Sequence, residues 1–381
     1  MRKINTIVVS LFVRINLLIW AKRAVFTLLL LIPCMLGFGQ ITQVVILGKE
    51  EITNLKDFIE ENSKARKMYD SICGLAYTAM KVAPRPLAEL HYEGLLDSNP
   101  KRIITTESLG DVDNVVHLIY ASYGGTIPDC GRKIKEIVVA WAKTYRATGN
   151  PINENKFTAL LWGFYLFRDE FSTKEQKLVR GWMESIAEAE MNRDRTPNNN
   201  WQAKRLRLVG LIGLINQNGE MVDFALEGLK EFINSAYYAD GTSRDLRERD
   251  AMHYHLGGVK PLLSTFINFT RFDKRFDLYH YISPNGGSIH KSVEYVVPYA
   301  TGELQRKEWV NTKVLLDKQR AAAGLKKYQP GTLFESKKAL PMFEWAAFYN
   351  RDWYSSVLKE TKDNLYVSSW VGLLNSPAVR K

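Results

Sequence analysis

The sequence predicts an all-α fold, and three observations carry that prediction. Apolar residues recur at helical spacing in one segment after another, the links between segments are short and polar, and no strand alternation or hairpin turn of comparable strength is visible. With 381 residues, 46% of them hydrophobic and 12% aromatic, the chain can bury a sizeable core, as one large helical domain or two smaller ones. Such a composition excludes a disordered chain.

The first 39 residues stand apart from the rest. They hold Arg2, Lys3, Arg14, Lys22 and Arg23, no acidic residue, and a run from Ala24 to Leu36 that only Pro33 interrupts. This is the pattern of a secretory signal with cleavage near Gly39-Gln40, or, given a second apolar run from Ile7 to Val13, of an N-terminal anchor. No later run of about 18 apolar residues follows, so the remainder is expected off the membrane. Losing the segment takes five basic residues from 52 and none of the 41 acidic ones, so a net charge of +11 falls only to about +6. A basic secreted chain suits a polyanion, and an anionic polysaccharide fits better than nucleic acid, for which no recognisable motif is present. Of the three cysteines, only Cys73 and Cys130 lie beyond this segment. They could pair in an oxidising compartment, but nothing assigns them a catalytic role.

After an apolar lead, Ile41 to Leu47, placed to pack on the domain, helices are expected at about Asn54 to Lys81, Asp113 to Ser122, Arg132 to Thr148, Asn153 to Arg168, Thr173 to Met191, Trp201 to Ile215 and Glu220 to Tyr238. Pro84-Arg85-Pro86 breaks the first. Asn153 to Arg168 is apolar almost all round, with Phe157, Leu160, Leu161, Trp162 and Phe164, which marks a buried inner helix. In Trp201 to Ile215, Leu208, Leu211, Ile212 and Ile215 form a stripe, while Lys204, Arg205 and Arg207 cluster near the start. Ser283 to Gly287 reads as a loop, and Leu365 to Val371 as a short strand or extended tail. Neither break has linker composition, so a single domain from residue 48 to 381 is expected. Successive helices with short links suit helical hairpins in a ring or solenoid, although no repeat of fixed period establishes the ring.

The densest chemistry lies in Asp240 to Leu262. Asp240-Gly241 is a turn signal, and Thr242 followed by Asp245 fits a capping box, so a helix is expected from about Ser243. On a continuous helix Arg247, Asp250, Ala251 and Tyr254 fall on one stripe, which puts a guanidinium and a phenol on the same face until Gly257-Gly258 and Pro261 weaken or end it. Read alone, such a window is commonly a solvated, charge-laced helix with a packing tyrosine. His253 and His255 point about 200° apart on a helix and make poor joint metal ligands, so neither metal nor cofactor is expected.

The run from Arg247 through Tyr254 and His255 to Pro261-Leu262 resembles the arginine-to-tyrosine segment of helical alginate lyases. Pro197-Asn198-Asn199-Asn200-Trp201 resembles their asparagine motif, and Gly287-Ser288-Ile289 through Tyr295 to Pro298-Tyr299 a third block. The likeness spans about Asn198 to Gly324 and is to polysaccharide lyases related to families 5 and 38. It implies an (α/α) toroid or incomplete helical barrel, and β-elimination of a 1,4-linked polyuronate, mannuronate-rich alginate or glucuronan. An asparagine, Asn199 or Asn200, and Arg247 would hold the uronate carboxylate, with Tyr254 carrying protons. In the family 5 pattern a histidine follows the asparagine, whereas Asn200 or Trp201 stands there in this chain. That leaves Tyr254, His255, His253 and His290 as candidates for the base. Trp201, Lys204, His253, His290, Tyr295 and Tyr299 are candidates for substrate binding. Trp201 and at least one of Tyr295 and Tyr299 have a packing role as their alternative, and Lys204 a solvated one. A glycoside hydrolase would need two carboxylates facing one cleft, for which Asp250 and Glu248 are the candidates. A binding protein without turnover is the third class.

Overall fold

A computed structural model describes residues 44–96, 98–360, 369–376 and 378–380. The expected leader and most of the expected tail strand lie outside them. Residues 41–381 form one compact unit.

Sixteen helices carry the argument: α1 (Lys49–Glu61), α2 (Ser63–Lys81), α3 (Pro100–Ser108), α4 (Gly110–Gly124), α5 (Cys130–Thr144), α6 (Thr158–Leu166), α7 (Thr173–Met191), α8 (Asn200–Asn216), α9 (Gly219–Ala236), α10 (Arg244–Arg249), α11 (Met252–Phe269), α12 (Ile289–Ala300), α13 (Leu315–Ala322), α14 (Leu340–Ala346), α15 (Arg351–Glu360) and α16 (Trp370–Leu374). Among the described residues the strands amount to one antiparallel pair, β1 (Lys307–Glu308) against β2 (Thr332–Leu333). The architecture is the expected all-α toroid.

An inner row, α4, α6, α8, α11 and α14, packs each helix on the next, and α2, α5, α7, α9 and α12 back them from outside. Burial follows from sequence. In α6 every residue from Thr158 to Phe164 is buried, as its all-round apolar pattern requires. Gly163 lets α6 close on α5, because a Cβ there would lie 2.8 Å from Ile134 Cγ2. The row closes through α16, where Trp370 stacks on Tyr120 of α4 with ring centroids 5.7 Å apart. The lead does pack on the domain: Val44 to Leu47 are buried, and Asn268 of α11 donates to Val44 O at 2.8 Å and accepts from Ile46 N at 3.2 Å.

Helix boundaries follow capping chemistry. Thr173–Met191 starts and ends where expected, because Ser172 and Glu175 form a reciprocal capping box. The first long helix instead divides at Asn62, whose side chain accepts from Lys64 N and Ala65 N and so starts α2 afresh. Asn153 to Arg168 is a short helix, a 3-10 turn and α6 rather than one continuous helix. Trp370 and Val371, expected as strand or tail, open the short helix α16. Cys73 and Cys130 are buried free thiols, with no disulfide between them.

Two corrections fall in the central window. The helix begins at a Ser243 cap, whose hydroxyl accepts from Leu246 N at 3.2 Å, while Thr242 donates instead to Asp240. It then stops at Asp250, which adopts φ 51°, and α11 starts afresh after Ala251. The break is held from outside the window. Trp309 N donates to Asp250 O at 2.8 Å, Lys313 N to Glu248 O at 2.7 Å, and Glu308 accepts from Met252 N at 2.5 Å. Glu308 thereby satisfies an N–H that the new helix end leaves unpaired. Conversely, Gly257, Gly258 and Pro261 do not end α11, which runs through all three to Phe269. Packing of this inner helix outweighs the lost proline hydrogen bond.

Candidate active site

The start of α8, the end of α9, α10 and the first turns of α11 enclose a groove of about 110 Å³. Its polar lining comprises Asn198, Asn199, Asn200, Lys204, Arg244, Asp245 and Tyr254, and Phe232, Tyr237 and Pro261 supply apolar wall.

On the α8 side, Asn199 caps the helix, accepting from Trp201 N at 2.9 Å through its side-chain oxygen. Asn198 donates to Ser235 Oγ at 2.7 Å, which ties the asparagine loop to α9. Arg244 crosses the same junction, donating to Ser235 O at 2.7 Å and Asn198 O at 3.3 Å. Asn200 is exposed at the positive end of the α8 dipole, where an anion is favoured. Lys204 stands one turn further in, and among the described residues its ammonium makes no hydrogen bond or ion pair. Burial pushes its proton affinity down to about 8, and Lys156 and Arg207 press the same way. A half-buried cation without a counter-ion is a natural receiver for a carboxylate.

Tyr254 forms the opposite side and is held far more tightly. Arg249 lies over its ring, with the guanidinium carbon 3.4 Å from the centroid, and pairs with Asp317 through contacts of 2.6 and 2.8 Å. Asp317 is buried, its Oδ1 is 3.5 Å from the phenol oxygen, and Arg320 Nη1 is 3.4 Å from that oxygen. Trp309 meets the ring edge-on at 5.8 Å. Burial pushes the phenol well above its ordinary range; Arg249 opposes that shift, and Asp317 and Tyr328 reinforce it. Removing one partner of a buried pair such as Asp317 and Arg249 costs on the order of 3–5 kcal/mol.

Several expected residues lie elsewhere. Arg247 and Tyr254 do not lie on one continuous helix, because α10 stops at Asp250; the Arg247 guanidinium pairs with Asp240 at 2.7 Å and sits over the Tyr238 ring, and Arg247 is not among the groove-lining residues. His255 is fully buried, with Nδ1 2.9 Å from Ser243 Oγ and Nε2 2.9 Å from Ser292 O. The carbonyl requires a proton on Nε2, and burial pushes the ring's proton affinity down to about 4, which favours the neutral form. It holds α10, α11 and α12 together and is not placed as a base. His253 is exposed beside the Tyr254 ring, outside the groove lining, and its proton affinity is lowered by burial and then by Lys327, Lys338 and Arg249.

His290 faces Glu294 at 3.6 Å and packs among Tyr279, His280 and Trp353, also outside the groove. Trp201 carries Arg193 over its ring. Tyr295 and Tyr299 pack on each other, and Tyr295 rests edge-on against His255. Asp250 binds Arg306 and Glu248 is exposed, so the hydrolase carboxylates do not face one cleft; Asp245 is the carboxylate in the groove lining. Sequence reasoning missed Arg244 and Arg249, which lay in the same cationic run as Arg247, and Asp317, which carried no local signal. Among the described residues, no group of three His, Cys, Asp or Glu gathers as a metal site.

Residues 122–307 match a family model described as alginate lyase. Over that stretch the chain is similar to polysaccharide lyases of the alginate lyase kind. A solved alginate lyase from Bacteroides ovatus shares the fold at 14% identity, with a TM-score of 0.63 over 87% of this chain and 98% of that one. An alginate lyase from a Sphingomonas species aligns at 15% identity with a TM-score of 0.47, covering 80% of this chain and 97% of that one. No curated protein sequence matches the chain. Among its described residues, no helix is long and apolar enough to cross a membrane.

Proposed function

We propose that this lyase is a secreted enzyme of one catalytic domain, residues 48–381, that cleaves mannuronate-rich alginate or glucuronan by β-elimination. The observation that carries the reading is the meeting, in one groove, of a phenol with a wall of amides and cations. Secretion rests on the leader-like first 39 residues.

Elimination removes the proton on C5, breaks the C4–O4 bond and leaves a C4–C5 double bond. The ionised carboxylate beside C5 makes that proton a poor acid, so the developing charge must be met by fixed donors. Asn200, the free amide protons of Asn199 and the positive end of α8 suit that task. Lys204 and Arg244 supply positive charge in the groove where Arg247 does not. Tyr254 is the proton carrier, since it lines the groove and His255 is locked in the core.

The test is ultraviolet absorbance of the mature protein with polymannuronate, polyguluronate and glucuronan in parallel, beside Tyr254→Phe. The expected result is a rise on polymannuronate or glucuronan that vanishes in the variant. Shortening of the polymer without a double bond, or full turnover by the variant, would overturn the reading.

A further inference from the structure

Asp317 belongs to α13, far along the chain from the groove-forming segments, yet it is the most enclosed charge near Tyr254. Its side chain is 0% exposed, against 20% for Arg249 and 34% for Arg320. A buried carboxylate is costly unless every oxygen is met, and here Oδ1 and Oδ2 take both arms of the Arg249 fork. Oδ1 also faces Arg320 at 3.4 Å and the phenol oxygen at 3.5 Å. Two parallel contacts fix a guanidinium more firmly than one, so Asp317 governs where the Arg249 fork lies, and that fork covers the tyrosine ring.

We propose that Asp317 is a positioning residue of the lyase: its carboxylate locks Arg249 against the Tyr254 ring, anchors Arg320 beside the hydroxyl, and presents a negative charge to that hydroxyl. The proposal rests on Tyr254 as proton carrier and adds what governs it. Without Asp317 the phenol would face two cations alone and lose its proton at lower pH. With it, the phenol stays protonated and can deliver that proton to O4 as the C4–O4 bond breaks, while the same oxygen, held between Asp317 and Arg320, takes up the C5 proton and the hydroxyl is restored. Other groups near the phenol are Tyr328 from the 3-10 turn Lys326–Tyr328, His253 on its own helix, and Lys204, Arg244 and Asp245 in the groove lining. Substitution at Asp317 leaves all of them in place.

The test titrates Tyr254 in the full-length protein without substrate, as the tyrosinate difference absorbance between each protein and its own Tyr254→Phe counterpart. Asp317→Asn keeps the shape and removes the charge, and is expected to lower the pH of ionisation by about one to three units. The pH limb of kcat that reports Tyr254 should move the same way. Adding Arg320→Gln to that variant should move ionisation back up. Asp317→Glu keeps the charge and displaces the fork, so ionisation should stay at its wild-type pH while kcat falls roughly 10²-fold at unchanged KM.

An ionisation pH unchanged in Asp317→Asn, with activity reduced equally at every pH, would reduce Asp317 to a structural residue and overturn the proposal. Wild-type kcat in Asp317→Glu would overturn it too, and would remain decisive if the asparagine variant failed to fold. Full activity of Tyr254→Phe would instead defeat the assignment of Tyr254, and the titration would still read the clamp.

Discussion

The two sides of the groove are built on opposite plans. The side chains of Asn200 and Lys204, on the α8 side, make no hydrogen bond or ion pair among the described residues, and the Asn199 side chain spends only its oxygen on the helix cap. On the other side, Tyr254 is fenced by Arg249, Asp317, Arg320 and Trp309. Unpaired polar groups at the mouth of a helix cost little while water solvates them and gain when an anion arrives. A proton carrier needs the reverse, since a ring free to wander loses the geometry that makes transfer fast. The contrast separates the part of the site that waits for substrate from the part that is set in advance.

The largest effect expected is on the fixed side. Tyr254→Phe keeps the ring under Arg249 but removes the hydroxyl, so kcat should fall by about 10²–10⁴-fold with folding intact, measured by double-bond absorbance and a thermal melt. On the waiting side, Asn200→Ala should lower kcat/KM by about 10²-fold, because one fixed donor to a developing charge is lost. Asn199→Ser keeps a capping oxygen while deleting the amide, so activity should fall with a stability change of only a few tenths of a kcal/mol.

Lys204→Gln sharpens the contrast through pH. The charged form binds a carboxylate, so oligouronate affinity in the wild type should weaken as pH rises through about 8, and the variant should bind more weakly with that dependence gone. Calorimetric titration across pH reads this directly. The smallest effect is expected from Arg247→Gln. Its ion pair with Asp240 is exposed, so stability should move by less than about 1 kcal/mol and kcat/KM by no more than a few-fold. A loss there as deep as in Tyr254→Phe would erase the distinction between groove and surface.

How much of this was legible in the sequence follows the range of the interactions involved. The capping box of Ser172 and Glu175 is local, and so is the all-round apolar run of α6; both could be read directly. The asparagine run and Tyr254 were also visible, and they do line one groove. The break at Asp250 was not, because what holds it comes from Arg306, Trp309 and Asn311, more than fifty residues further on. That single unseen break puts Arg247 and Tyr254 on different helices. His255 was misplaced for a related reason: on the face that turns inward its neighbours are Ser243 and Ser292, which spacing along one helix does not reveal. Asp317 carried no local signal at all.

Arg380 has a reach beyond its neighbourhood. It pairs with Glu51 of α1 at 2.5 Å, Glu51 also takes Arg271 just past α11, and Val379 O accepts from Asn54 at 3.2 Å. The final residues thus act as a buckle, joining the first helix to the last and to the strip of chain that follows an inner helix. Removing Val379 and Arg380 would cut these ties, and the effect would be felt as loosened helices in the hoop itself.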